Sequence, residues 1–436
     1  DLAYYEDTYR KYKYDIYADS YKRYGNVLAD IEYLRYKKII EKNFEILKTW
    51  IDNEESILYQ KPELVERTNL ETVEKNNDVF KYLENKFDVE KITNSDIEID
   101  EAARVIKYPK GDYVLKENLV IPKDYLFVIE AGTNIRLASG TSIISYSPVM
   151  AKGTAEEKIV FSALEETWGV FAVFNNDKKS EIEYCHFENA RDFTINGAYI
   201  SGMLAFHYAP AIVRNSTFMN AKGDDALNIK GAKSEIENNV FRNNGFDAID
   251  LDWADLSIVK NNYFEGNGND SVDVGGGVGI RIEGNEIVSS GDKGVSAGEG
   301  NRDLVIFNNS IVNCNIGIAS KDDSDPLIIN NILGISIYEK KPMFGPSQSR
   351  VVNTVIWQDS DDSIDIGKGS EIDLKNSVIK GGYTGEEIID KDPLLLDNVV
   401  SSEDEIFKNG GAKKELEEIG IEINVVPIGL IKKNDK

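Results

Sequence analysis

Asp225-Ala226-Leu227-Asn228-Ile229-Lys230 returns in altered form along the middle of the chain. Asp247-Ala-Ile-Asp-Leu-Asp252 follows one residue early, then Asp270-Ser-Val-Asp-Val-Gly275, Lys293-Gly-Val-Ser-Ala-Gly298 and Ile316-Gly-Ile-Ala-Ser-Lys321 at intervals of 23. Gly202-Met-Leu-Ala-Phe-His207 precedes them in the same register. The third and fifth residues of each hexad are apolar and the fourth is mostly polar, as a strand with one buried face requires. A second column keeps the period: Asn215, Asn238, Asn261, Gly284, Asn308, Asn330, Asn353 and Asn376. Three residues beyond each stands a bulky apolar side chain, among them Phe218, Phe241, Phe264, Ile287 and Ile311.

A repeat this short, made of strands and turns, predicts a right-handed parallel β-helix of about 23 residues per coil. Coils stacked at about 4.8 Å turn equivalent residues into ladders: aliphatic and Phe ladders inside, an Asn ladder at a turn. Amides of such a ladder bond the neighbouring backbone and each other. An antiparallel sandwich would instead show hairpin signals every 8–12 residues or so.

The remainder of the 436 residues falls around this array. Residues 1–95 read as a Tyr-rich helical region and N-terminal cap, with ten tyrosines before residue 37 and apolar residues at helical spacing from Tyr14 to Ile51. Those tyrosines are expected to pack helices, with carbohydrate stacking as the other reading. Residues 96–390 read as the β-helix, with Gly132 and Gly140 at sharp corners, and 391–436 as a C-terminal cap and tail with a short acidic helix. Trp168–Phe174 fits the hexad register, and the extra residues near Arg191–Tyr199 are expected to overhang the coil face.

With 76 acidic against 50 basic side chains, the formal charge of −26 argues against nucleic acid as partner. Cys185 and Cys314 lie several coils apart and are not expected to pair. No stretch approaches the 18 or so apolar residues of a membrane span, and no signal peptide is visible.

Chemistry is expected on the outward positions of the hexads. The fourth-position ladder reads Ala205, Asn228, Asp250, Asp273, Ser296, Ala319, and the sixth His207, Lys230, Asp252, Gly275, Gly298, Lys321. Asp250, Asp252 and Asp273 would crowd together and need a raised pKa, a bound cation or a lysine partner. Gly275 and Gly298 would leave room for a ligand. The column Asp225, Asp247, Asp270, Lys293 shares parity with the core, which predicts corner residues whose carboxylates accept backbone N–H bonds.

The stretches Gly223-Asp-Asp-Ala-Leu-Asn-Ile-Lys230 and Asp247–Asp252 resemble the polygalacturonase group of pectin-processing, pectate-lyase-like β-helix enzymes. That resemblance covers about 100 residues and implies aspartates on neighbouring coils acting as acid and base in glycoside hydrolysis. The family's His-Gly stands here as Lys293-Gly294, and its Arg-Ile-Lys is matched by Ile318-Ala-Ser-Lys321. Over roughly 110–395, phrases such as Ser201–His207, Asp292–Glu299 and Tyr338–Gly345 resemble bacterial β-helix proteins found with spore-coat-protein-H-like kinases. This likeness implies secreted or cell-surface work on polysaccharide.

Two functions remain open on these residues. One is a lyase, epimerase or glycosidase on an extended polysaccharide, expected to be acidic because of the lysines. Asp250, Asp273, Lys230 and Lys293 would then be catalytic, while His207, Asn228, Glu299 and Lys321 bind substrate. Asp250, Asp252 and Asp273 would offer oxygens to Ca²⁺. The alternative is a non-catalytic surface scaffold or adhesin whose polar ladders are solvated coil faces.

Overall fold

The computed structural model describes residues 96–421, apart from 175, 196–197, 333, 339, 341–343, 358–363, 397–398 and 401–411, together with 428–429. The expected Tyr-rich helical region lies outside them. The described chain winds through three long sheets of 13, 11 and 9 strands. A single coil shows the path: Asp225–Lys230 lies in the 11-stranded sheet, Ser234–Glu237 in the 13-stranded sheet and Val240–Arg242 in the 9-stranded sheet. The next coil repeats it with Asp247–Asp252, Ile258–Lys260 and Tyr263–Glu265. Neighbouring strands pair in parallel, so the described residues form a parallel β-helix.

The register read from the sequence holds residue by residue. Asn228 is opposite Asp250, Asp250 opposite Asp273, and Asp273 opposite Ser296. Leu227, Ile229, Ile249, Leu251, Val272, Val274 and Val295 are fully buried, which seats the third and fifth positions in the core. The phenylalanine column is a stack of rings: Phe161–Phe187, Phe187–Phe218, Phe218–Phe241 and Phe241–Phe264 have centroids 4.7, 5.1, 4.8 and 5.0 Å apart, within 10° of parallel. Those spacings follow the inter-strand repeat, because one ring is added per coil.

The asparagine ladder differs by one residue from expectation. Asn215, Asn238, Asn261, Asn308, Asn330, Asn353 and Asn376 all have φ between 47° and 57°. They occupy the left-handed region that Asn tolerates best after Gly, and Gly284 fills the same slot. The amide ladder is formed by the residues that follow. Asn262 Nδ2 donates to Ile236 O (2.9 Å) and to Asn285 Oδ1 (3.1 Å), while its own Oδ1 accepts from the Asn239 backbone N–H (2.9 Å). Asn285 repeats this toward Asn309, and Asn309 toward Asn331. Ladder and turn therefore divide the work between two adjacent columns.

Glu98–Asp100 pairs antiparallel with the first coil strand, Val105–Tyr108. Phe193–Ile195 and Ala198–Ile200 form a separate two-stranded ribbon within the insertion. Near the C-terminus a helix, Lys413–Glu418, buries Leu416 against Phe307, Leu327, Ile329 and Val352 of the 13-stranded sheet. Cys185 and Cys314 are buried free thiols. Among the described residues no helix is long and apolar enough to cross a membrane.

Candidate active site

The hexad strands place the fourth and sixth side chains on the outer face of the 11-stranded sheet, as their alternation with buried third and fifth residues requires. What parity misses is how close the first position lies to the outward ladder of the neighbouring coil. A Cβ built on Gly202 would stand 2.9 Å from the Cβ of Asn228, the fourth-position residue of the next coil. A side chain in that geometry would collide with the fourth position one coil on, which accounts for the glycine there. The register pairs Asp225 with Asp247, and the charge of Asp225 acts on Asp250 as that of Asp273 acts on Asp247. Seven carboxyl groups (Asp224, Asp225, Asp247, Asp250, Asp252, Asp270, Asp273) gather in one strip with Lys230, Lys293 and Lys321.

Two members of the first column do carry turn hydrogen bonds. Asp247 Oδ1 accepts the Asp270 backbone N–H and the Asn269 side-chain amide, each at 2.7 Å. Asp270 Oδ1 accepts the Lys293 backbone N–H at 3.0 Å. Asp225 differs. Ser201 hydrogen-bonds its carboxyl, yet its Oδ2 is buried with no hydrogen-bond partner, and the residue is only 2% exposed. An ionised oxygen in that position would be severely desolvated, so Asp225 is pushed well above the ordinary carboxylate range by burial, then by Asp247, Asp224 and Asp252.

Asp250 is the centre of the strip. It keeps an edge at the surface while protein surrounds the rest of it. Its pKa is also raised well above the ordinary value, first by burial and then by Asp225, Asp252 and Asp273, with Lys230 opposing. Asn228 Nδ2 donates to Asp250 Oδ2 at 2.6 Å, and Asn228 Oδ1 lies 2.7 Å from His207 Nε2. With the proton on Nε2, His207 donates to Asn228 and fixes the amide so that its N–H points at Asp250. Phe174 meets the imidazole edge-on at 5.3 Å. Burial pushes Asp247 up to about 7, helped by the charges of Asp270 and Asp273.

These contacts place the other expected site residues. His207 and Asn228 are buried (1% and 0% exposed); His207 bonds Asn228, and Asn228 bonds Asp250. Lys230 Nζ pairs with Asp252 Oδ2 at 2.5 Å, and Lys321 Nζ with Asp273 Oδ1 at 3.7 Å. Lys293 is buried between Asp270, at 3.3 Å, and Asp292. Glu299 is half-buried at a corner with φ +62°, past the end of its hexad. The room expected at the two glycines is already taken. A Cβ at Gly275 would meet Asp252 Oδ1 at 2.7 Å, and one at Gly298 would meet Lys321 Cε at 2.8 Å.

The same pairing bears on calcium. Asp250, Asp252 and Asp273 each face a different donor, Asn228, Lys230 and Lys321. Among the described residues no three carboxylate, histidine or cysteine side chains converge as ligands. A Ca²⁺ cage needs about six to eight oxygens, and this strip supplies lysine ammonium groups where such a cage needs oxygens. The residues present do not fit that ion.

A cavity of about 530 Å³ lies elsewhere, lined by Leu304, Arg350, Glu371 and Glu418 among others. None of the strip residues lines it.

Residues 197–339 match a family model described as a right handed beta helix region. No curated protein sequence matches the chain at a significant level. Solved structures similar to it include an alginate lyase from Paenibacillus sp. strain FPU-7, with 12% identity over 60% of this chain and 92% of that one, TM-score 0.32. Another is the PL6-family alginate lyase AlyGC, with 14% identity over 76% of this chain and 55% of that one, TM-score 0.42. A third is the catalytic unit of a GH87 α-1,3-glucanase from Streptomyces thermodiastaticus strain HF3-3, with 14% identity over 66% and 60%, TM-score 0.34. Each differs from this chain at most positions, and what each acts on is a property of that protein. The coils that carry the carboxylate strip are a right-handed β-helix region.

Proposed function

We propose that the strip is an acid–base site that cleaves the glycosidic bonds of an extended polysaccharide. The observation that carries this reading is Asp250: a carboxyl at the surface edge whose pKa is raised by burial and neighbouring carboxylates, oriented through Asn228 and His207, one coil from a second carboxylate. Asp250 would give its proton to the glycosidic oxygen as the C–O bond breaks. Asp273, 29% exposed at its side chain and facing Lys321, would take a proton from the water that adds to the anomeric carbon. Asp225, buried and itself pushed toward its neutral form, does not reach the substrate; Asp252 and Asp273 are the neighbouring carboxylates that would favour the acid form of Asp250. A helical stack favours a linear polymer, since successive sugars can lie across successive coils. Such a substrate places the protein's work outside the cell or at its surface.

Charge favours a neutral chain over the acidic one expected from sequence. Each lysine of the strip faces an aspartate of its own, which leaves none committed to a substrate carboxylate. The second reading is lyase or epimerase chemistry on a uronate, which would require Lys230 or Lys321 to leave its aspartate and neutralise the sugar acid. Product release from neutral and acidic polysaccharides, with native protein and Asp250→Asn, tests the proposal. Release from a neutral polymer that disappears in the variant is the expected result. Release only from uronates moves the site to the second reading. Release from nothing returns the strip to a scaffold face.

A further inference from the structure

The residue after each hexad turns a corner in the left-handed region: Tyr208 (φ +54°), Gly231 (+64°), Trp253 (+47°), Gly276 (+76°) and Glu299 (+62°). The ladder bonds run straight through it, from Tyr208 N–H to Lys230 O (2.7 Å) and from Trp253 N–H to Gly275 O (3.0 Å). Glycine takes this conformation freely, whereas a bulky side chain takes it against a steric penalty. Two coils nevertheless use an aromatic residue here, and each is followed one coil later by glycine. A Cβ at Gly231 would stand 2.5 Å from Tyr208 Cε1, and a Cβ at Gly276 would stand 2.7 Å from Trp253 Nε1. Each ring therefore leans onto a bare glycine of the next coil. Trp253 is 57% exposed, large for an indole, and Tyr208 is half-buried.

We infer that Tyr208 and Trp253 are two sugar-stacking platforms that lay the polymer along the helix axis beside the carboxylate strip. This rests on the polysaccharide reading above and adds where and how the chain is held. The platforms are two coils apart, about 10 Å from the inter-strand repeat. The coil between their supporting glycines is the one that carries Asp250 and Asp252. A pyranose face presents C–H groups to the negative face of an aromatic ring, an attraction that needs no charge on the sugar. One sugar on each ring places a third between them, on the coil that carries Asp250 and Asp252. Gly231 and Gly276 are required because any Cβ there would push the ring off its support.

The test is binding of size-defined gluco-oligosaccharides and oligouronates to the full chain, by calorimetry and tryptophan fluorescence. Native protein should bind a tetrasaccharide at least tenfold more tightly than the matching disaccharide. Trp253→Ala and Tyr208→Ala should each erase that advantage, while Trp253→Phe and Tyr208→Phe retain most of it. Trp253→Gly relieves the backbone penalty, so it should keep or raise Tm while losing the tetrasaccharide preference, which separates stacking from folding. If the Ala and Gly variants keep the preference while Asp250→Asn abolishes product release, the platforms are wrong and the active-site reading stands. If native protein binds none of these sugars, both fall. Binding of a protein in place of sugar, with the Ala variants losing it, also overturns the inference.

Discussion

Asp247→Asn gives the most direct measure of the strip's electrostatics. Asp247 is buried, and its pKa stands at about 7 against an ordinary 3.8, chiefly because burial penalises its charge. The sign follows from linkage. Below about pH 4 the carboxyl is protonated in both folded and unfolded chains and contributes no pH dependence. As pH rises from about 4 to 7, the unfolded chain ionises while the folded one holds its proton, so stability falls, and above about 7 it levels off. A shift of about three units corresponds to roughly 4 kcal/mol lost across that window. The variant cannot ionise, and its carbonyl oxygen still accepts from the Asp270 N–H and the Asn269 amide. Thermal unfolding of native and variant protein at pH 4 and pH 8, at matched ionic strength, should show little difference at pH 4. At pH 8 the variant should melt higher by about 8 °C, taking about 2 °C per kcal/mol for a chain of this size. An equal loss in the variant at both pH values would refute the reasoning, since it would mean that Asp247 is charged and needed as such.

Asp250→Asn should lower turnover by at least about a hundredfold while Tm holds, because the amide cannot give up an acid proton yet is nearly isosteric and its carbonyl oxygen can still accept from Asn228; activity retained with a fallen Tm would make Asp250 structural. In native protein, turnover should decline as pH rises past the raised pKa of Asp250, a limb that a pH–rate profile would place above the ordinary carboxylate range. Asn228→Leu cuts the link from His207 to Asp250 and should shift that limb and lower kcat more than it changes KM; an unchanged profile would leave Asn228 without a positioning role. Asn262→Ala removes the acceptor of the Asn239 backbone N–H and the donor to Ile236 O, and should cost about 3 kcal/mol or more in chemical denaturation. Ca²⁺ added after chelation should leave Tm unchanged; a rise of several degrees would show ligands that the strip's paired carboxylates do not supply.

The sequence alone determined the coil. A side chain that must face either core or solvent repeats with period two inside each hexad and with period 23 between hexads. That pattern admits one register, and the observed pairing of Asn228, Asp250 and Asp273 follows it. Two adjacent columns with similar residues were harder to separate. Asn238 and Asn239 look alike in sequence, and only the backbone shows that the first adopts φ +57° while the second forms the amide ladder. Tertiary structure also decided what the first position lies near. Parity assigns Asp225 and Asp247 to corners, whereas Asp225 acts by its charge on Asp250 and Asp273 acts on Asp247 across neighbouring coils. Lysine pairing was equally out of reach, because a ladder fixes Cα positions and leaves a long flexible side chain to find its partner. Lys230 chose Asp252, Lys321 chose Asp273, and the space above Gly275 and Gly298 filled with their neighbours' side chains. Periodicity carries the backbone because every coil repeats the same burial problem; the site depends on single side chains that occur once.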